Sequence, residues 1–287
     1  MNQTVAELIR KRFSCRVHPD KPIDESEQQQ LRNFLETHET GPFGSPTRFV
    51  LVAANENDRQ SLKGLGTYGF IKNAQAFIVG AAGPGEKNLE DFGYVMEQAI
   101  LSATGMELGT CWLGGSFTKS SFARKIGATA GETVPAVTSV GYIAENSKAQ
   151  DWIRKRAGGA MRLPASQLFF EERFGEVLQA DSIGDYAQVL DMVRWAPSAS
   201  NKQPWRIVRS GRFWHFYLQR TKKYGKDSLM GRVLRVADLQ RVDMGIAMCH
   251  FELSAREIGL GGRWVLTEPE IVKPDAMTEY TSSWESA

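Results

Sequence analysis

A chain of 287 residues with 42% hydrophobic content carries enough apolar material for one large core or two fused units. Its 35 basic and 33 acidic residues leave a formal charge of +2, which excludes a global electrostatic pull toward nucleic acid or an acidic membrane. Cys15, Cys111 and Cys249 are scattered without CxxC spacing, no signal-like segment opens the chain and no long apolar run follows, so the expectation is a soluble cytoplasmic protein with neither nucleic-acid nor membrane partners.

In chain order, RKRFSCR comes first and puts Arg12, Ser14 and Arg16 at alternate positions. In an extended segment these share one face, so two guanidiniums and a hydroxyl can converge on one anion, with phosphate the natural candidate and a solvated basic helix end the plainer alternative. Strands are expected at 48–54 (RFVLVAA) and 73–82 (NAQAFIVGAA). GAAGPGEK at 80–87 lacks the spacing of a phosphate-cradling loop and reads as a turn. A helix with Val95, Ala99 and Leu101 on its buried face follows, stopped by the glycine of LGT, and then come the extended CWLGGSF and a strand within 135–145. The polar, basic and glycine-rich stretch after it marks a joint, giving a first unit at 1–150, a linker at 151–164 and a second unit at 165–287. Beyond the joint lie the helix-like DYAQVLDMV, the loop APSASNKQPW, the strand WRIVRS at 205–210, a helix carrying Ala247, Phe251 and Leu253, and RWVLTEP.

These elements repeat. Residues 93–112 align without gaps on 245–264 with 8 identities in 20 positions, and strand candidates flank both copies. Each half therefore reads as helices packed on a sheet, an α+β unit occurring twice, and a site at the seam can draw on both. Extending the alignment sets Glu172, Phe174 and Glu176 against Arg12, Ser14 and Arg16, while the first half has no asparagine or glutamine where the second has its polar loop. Each half keeps what the other lacks, which points to one composite site. In that loop the prolines set the course, Asn201 and Gln203 offer carboxamides to a ligand, and Ser198 and Ser200 add hydroxyls. A self-capping Asn/Ser turn accounts for only part of the set.

RxSxR near the start, GTCWLGG after the first helix, the GYIAE strand and APSASNxQPW, in that order, resemble the FMN-dependent nitroreductase superfamily, in particular its tandem-repeat branch, over about residues 5–265. The resemblance implies an α+β nitroreductase-like fold in two copies, each a mainly antiparallel sheet packed by helices and related by a pseudo-two-fold. It implies FMN across the seam, with Arg12, Ser14 and Arg16 at its phosphate and pyrimidine, Pro197, Ser198, Ala199 and Asn201 against the flavin, and Leu113, Gly114 and Gly115 beside the ring edge. Arg162 matches a phosphate-gripping arginine, with Arg154 and Arg156 nearby; Ala199 and Gly114 depart from the serine and glutamate frequent in the family. The implied activity is a two-electron ping-pong transfer from NADH or NADPH to a small-molecule acceptor such as a nitro compound or quinone, in a monomer acting as an internal pseudo-dimer. A non-catalytic FMN-storage protein and a scaffold without cofactor are the alternatives. No catalytic side chain is expected and the four histidines show no metal spacing; His250 reads as a packing or hydrogen-bonded residue, and Tyr68 and Phe70 as substrate-facing or core.

Overall fold

A computed structural model of the protein describes residues 3–54, 62–145, 161–179, 183–224 and 236–287. Helix α1 (Val5–Lys11) starts at a capping box, in which the Thr4 hydroxyl accepts from Glu7 N–H and the Glu7 carboxylate from Thr4 N–H. The chain then runs extended, bridging in parallel from Ser14 to Thr110 and from Val17 to Lys72. Helix α2 (Glu25–Thr37) buries Gln28, Leu31 and Leu35, spaced for one helical face. Strands β1 (Thr47–Ala53) and β2 (Ala76–Ala82), helix α3 (Asn88–Gly105), β3 (Gly109–Leu113), α4 (Lys119–Lys125) and β4 (Val137–Gly141) complete the first half. Its sheet has the order β1-β2-β4-β3, antiparallel throughout.

The second half contains β5 (Phe169–Glu171), α5 (Tyr186–Trp195), β6 (Trp205–Ser210), β7 (Phe213–Gln219), α6 (Leu239–Glu257), β8 (Gly262–Val265) and β9 (Thr278–Ser286). The antiparallel order β6-β7-β9-β8 reproduces that of the first sheet, and β5 adds to β6 in parallel. Two copies of an α+β unit are thus present, and one apolar cluster running from Ile23 through Phe92 and Met248 to Trp284 joins them.

The repeated helices α3 and α6 cross at the centre. A Cβ on Gly93 would lie 2.2 Å from the Val242 carbonyl oxygen, and one on Gly245 only 1.9 Å from that of Glu90. Gly93 and Gly245 are aligned in the repeat, so each helix admits the other's backbone at the same place in both copies. Such reciprocity is what a two-fold relation produces.

Two expectations change. The first helix does not end at the glycine of LGT: the left-handed residue is Glu107 (φ 61), aligned with Gly259 (φ 80) after the second helix, and Leu108 N–H and Leu260 N–H close back on the Ala103 and Ala255 carbonyls. Gly109 instead starts β3, where a Cβ would collide with the Cys15 side chain at 2.8 Å. The segment 167–176 is no counterpart of 7–16 either. It forms a 3-10 turn and β5 beside β6, whereas Ser14 borders β3 at the other end of the strand order. Glu172, at φ 56, turns the chain there and accepts from the Ser210 hydroxyl. Residues 151–160 of the expected linker, with Arg154 and Arg156, lie outside the described residues.

Candidate functional site

Between the halves lies a cleft of about 1340 Å³. The extended segment after α1 brings Arg12, Ser14 and Arg16 to it; Cys15, at the intervening position, is fully buried, as alternation requires. The end of β3 and its turn contribute Leu113, Gly114 and Gly115. From the second half come Arg162 and the loop residues Pro197, Ser198, Ala199 and Asn201. Every residue that the family resemblance assigns to the site and that falls within the described residues borders this one space.

Arg12 is anchored from behind. Its side chain is 7% exposed, with Nε 3.7 Å from Oε1 of the wholly buried Glu97. Oε2 of Glu97 accepts from Trp112 Nε1–H at 2.7 Å, and Oε1 lies 3.0 Å from His250 Nε2. His250 Nδ1 is 2.9 Å from the Met192 carbonyl, which can only accept, so Nδ1 carries a hydrogen. His250 is accordingly a hydrogen-bonded interior residue. Glu97 escaped the sequence reading, although a carboxylate among the apolar residues of a repeated helix was a usable signal.

Arg162 is braced by donating to the Met161 carbonyl (3.0 Å), the Trp195 carbonyl (3.2 Å) and Asn201 Oδ1 (3.4 Å), over the Trp195 ring. Within the loop, a 3-10 turn at Ala199–Asn201, the polar groups mostly hold the loop itself. Ser198 Oγ accepts from Gln203 N–H at 2.8 Å, Gln203 Oε1 from Leu163 N–H at 2.9 Å, and Ser200 Oγ from the Tyr224 hydroxyl at 2.9 Å. Asn201 Nδ2 donates to the Met161 carbonyl at 3.0 Å. Gln203 is buried and does not border the cleft, so the expectation that both carboxamides face a ligand is corrected. Buried amides must find partners, and here the backbone of 161–163 supplies them.

Gly114 also has a tertiary reason. A Cβ there would come within 2.6 Å of the Leu239 side chain from α6, so its bareness seats the second half, whereas Gly115 meets nothing closer than Val236 at 3.9 Å. Lys119, at the start of α4, borders the cleft with its ammonium pKa lowered by burial. Tyr68 and Phe70 line the outer part and are 68% and 39% exposed. Among the described residues no cluster of three His, Cys, Asp or Glu could hold a metal ion, and no helix is long and apolar enough to cross a membrane.

Fold and cleft define a two-copy α+β protein with a ligand-sized site at its internal seam. Residues 4–255 match the family model described as "Putative TM nitroreductase", and the chain belongs to that nitroreductase family. A nitroreductase described as putative, from Thermotoga maritima, is similar over 99% of this chain and 94% of its own, at 20% identity and a TM-score of 0.59, which shows a shared fold. A nitroreductase family protein from Clostridium difficile is similar over 58% of this chain and 96% of its own (18% identity, TM-score 0.44). A further one from Desulfovibrio desulfuricans, described as a putative nitroreductase in complex with FMN, is similar over 51% and 90% (19% identity, TM-score 0.41). No curated protein matches the chain.

Proposed function

We propose that the chain is an FMN-dependent oxidoreductase that uses NADH or NADPH to reduce nitro compounds, quinones or related electron-poor acceptors. The observation that supports it is the convergence of Arg12, Arg16 and Arg162, drawn from both halves, on one cleft with an apolar wall that includes Leu113, Pro197 and Ile246. The residues fit the cofactor: cations suit its phosphate, the apolar wall suits a flat ring, and the open backbone at Gly115 leaves room beside a ring edge. The cleft also exceeds the roughly 300–1,000 Å³ usual for small-molecule sites, leaving space for a second molecule.

FMN, when bound there, supplies the two-electron hydride chemistry. The chain's own groups bind and orient. Arg12, held by Glu97, would meet the phosphate with Arg16 and Arg162, while Ser14 adds a hydroxyl donor. Backbone N–H groups of Gly114 and Gly115 would serve the ring edge, and Pro197, Ser198, Ala199 and Asn201 would shield one side from water. Tyr68 and Phe70, on the open side, would border the acceptor. No side chain is needed as nucleophile or base. In this reading residues 1–150 and 165–287 are the two units, 151–164 the linker, and the protein is a cytoplasmic monomer acting as its own dimer.

The test is anaerobic addition of NADH or NADPH to the protein loaded with FMN, followed at the flavin absorption band. Bleaching, and its reversal by a quinone or nitro compound, is expected. A band that persists with both nucleotides would leave an FMN-binding protein without turnover, and failure to take up FMN would remove the cofactor altogether.

A further inference from the structure

The repeat contains its own control. Asp91 and Asp243 are aligned, each two residues before the glycine at which the central helices cross. Each reaches the loop that precedes its half's first antiparallel strand. Asp91 uses both oxygens, Oδ1 accepting from Phe43 N–H at 2.9 Å and Oδ2 from Ser45 N–H at 2.8 Å. Asp243 uses one. Oδ1 accepts from Ala199 N–H at 2.9 Å, while Oδ2, cut off from bulk water, has no hydrogen-bond partner among the described residues. Asp243 borders the cleft and Asp91 does not. A buried carboxyl oxygen without a partner is costly to the fold, so its partner is to be sought in what the cleft binds.

We propose that Asp243 contacts the bound flavin directly through Oδ2, while Oδ1 keeps the loop in place. The inference rests on the FMN reading above. Exposure decides between cofactor and acceptor: Asp243 is 2% exposed, whereas Tyr68 is 68% exposed at the outer side. A group set so far into the wall is reached only by a molecule seated deep in the cleft, as a resident cofactor is; the acceptor, which must come and go, meets the open side. Burial, reinforced by the nearby Asp238, holds the Asp243 carboxyl well above the usual carboxylate range against the hydrogen bond from Ala199. In its neutral form it presents Oδ2–H, and the contact is a hydrogen bond donated to an acceptor atom of the flavin.

The experiment combines FMN fluorescence titration of the cofactor-free chain with infrared difference spectra of FMN binding. Asp243→Asn keeps an acceptor for Ala199 N–H and a donor in place of Oδ2–H; Asp243→Leu removes both; Asp91→Asn is the control. The wild type is expected to show a protonated-carboxyl C=O band that shifts when FMN binds and is missing in Asp243→Asn. Asp243→Leu should weaken FMN binding at least about tenfold, Asp243→Asn less, and Asp91→Asn not at all. A wild type that binds FMN with no carboxyl band moving, or Asp243→Leu binding as tightly as wild type, overturns this inference and leaves the FMN reading standing. A wild type that takes up no FMN overturns both. The infrared band decides the question even where the leucine variant fails to fold.

Discussion

The loop before β1 and the loop before β6 occupy equivalent places and have opposite characters. The first is closed onto Asp91: two N–H groups satisfy the carboxylate, and Gly41 packs so near that a Cβ would lie 2.4 Å from Oδ1. The second holds Ser200, Asn201 and Gln203 at φ 50, 54 and 49, a left-handed backbone that costs non-glycine residues about 1 kcal/mol or more each. Gln203, Arg162 and Tyr224 offset that cost by hydrogen bonds that keep the loop against the cleft. A duplicated chain can therefore let one copy of a loop settle into structure while the other carries the strain of a site.

The contrast between halves can be broken at aligned positions. The largest effect is expected at Glu97, whose removal as Glu97→Ala strips Trp112 and His250 of a buried partner and leaves Arg12 facing an apolar gap. A loss of about 3–5 kcal/mol in urea unfolding is expected. Cys249→Ala, at the equivalent site of α6, should cost only about 1 kcal/mol; comparable losses would mean the two positions do the same work. The helix crossing tests the opposite expectation, that the halves behave alike. Gly93→Ala and Gly245→Ala should each destabilise by about 1–3 kcal/mol, and a clear inequality would argue against a reciprocal crossing.

A smaller effect concerns pH. His215, on β7 and 2.6 Å from the Ser283 hydroxyl, is pushed down to about 4 by burial, with Glu172 opposing. The unfolded chain then takes up a proton near pH 6.5 that the folded chain refuses until about pH 4. Stability should be full above pH 6.5 and fall by about 1–2 kcal/mol toward pH 4, and His215→Gln should flatten the melting-temperature profile across that window. His18 in the first half is lowered by the same cause against two backbone hydrogen bonds, so some slope should remain in the variant. The smallest effect lies at the helix stops. Glu107→Gly, which gives α3 the residue Gly259 gives α6, should stabilise by about 0.5–1 kcal/mol, because the exposed pair with Lys11 that it removes contributes little. Thermal denaturation of the single variant suffices to check it.

Period and repetition carried the sequence reading far. Apolar runs located β1, β2, β4 and β6, because a strand's side chains report local burial, and the 20-residue alignment marked the two central helices. The alternation of Arg12, Ser14 and Arg16 is a local property of an extended backbone, and the loop's composition is local too, so these two groups of cleft-bordering residues could be named from the residues themselves, whereas Leu113, Gly114, Gly115 and Arg162 followed from the family resemblance. Tertiary structure decided which polar groups have partners. Gln203 turned inward because Leu163 N–H lies within reach, Gly114 is bare because Leu239 packs there, and Asp243 differs from Asp91 in what its second oxygen meets. Those distinctions arise from contacts between segments far apart in the chain, where satisfaction of a buried group depends on an atom that no local pattern encodes.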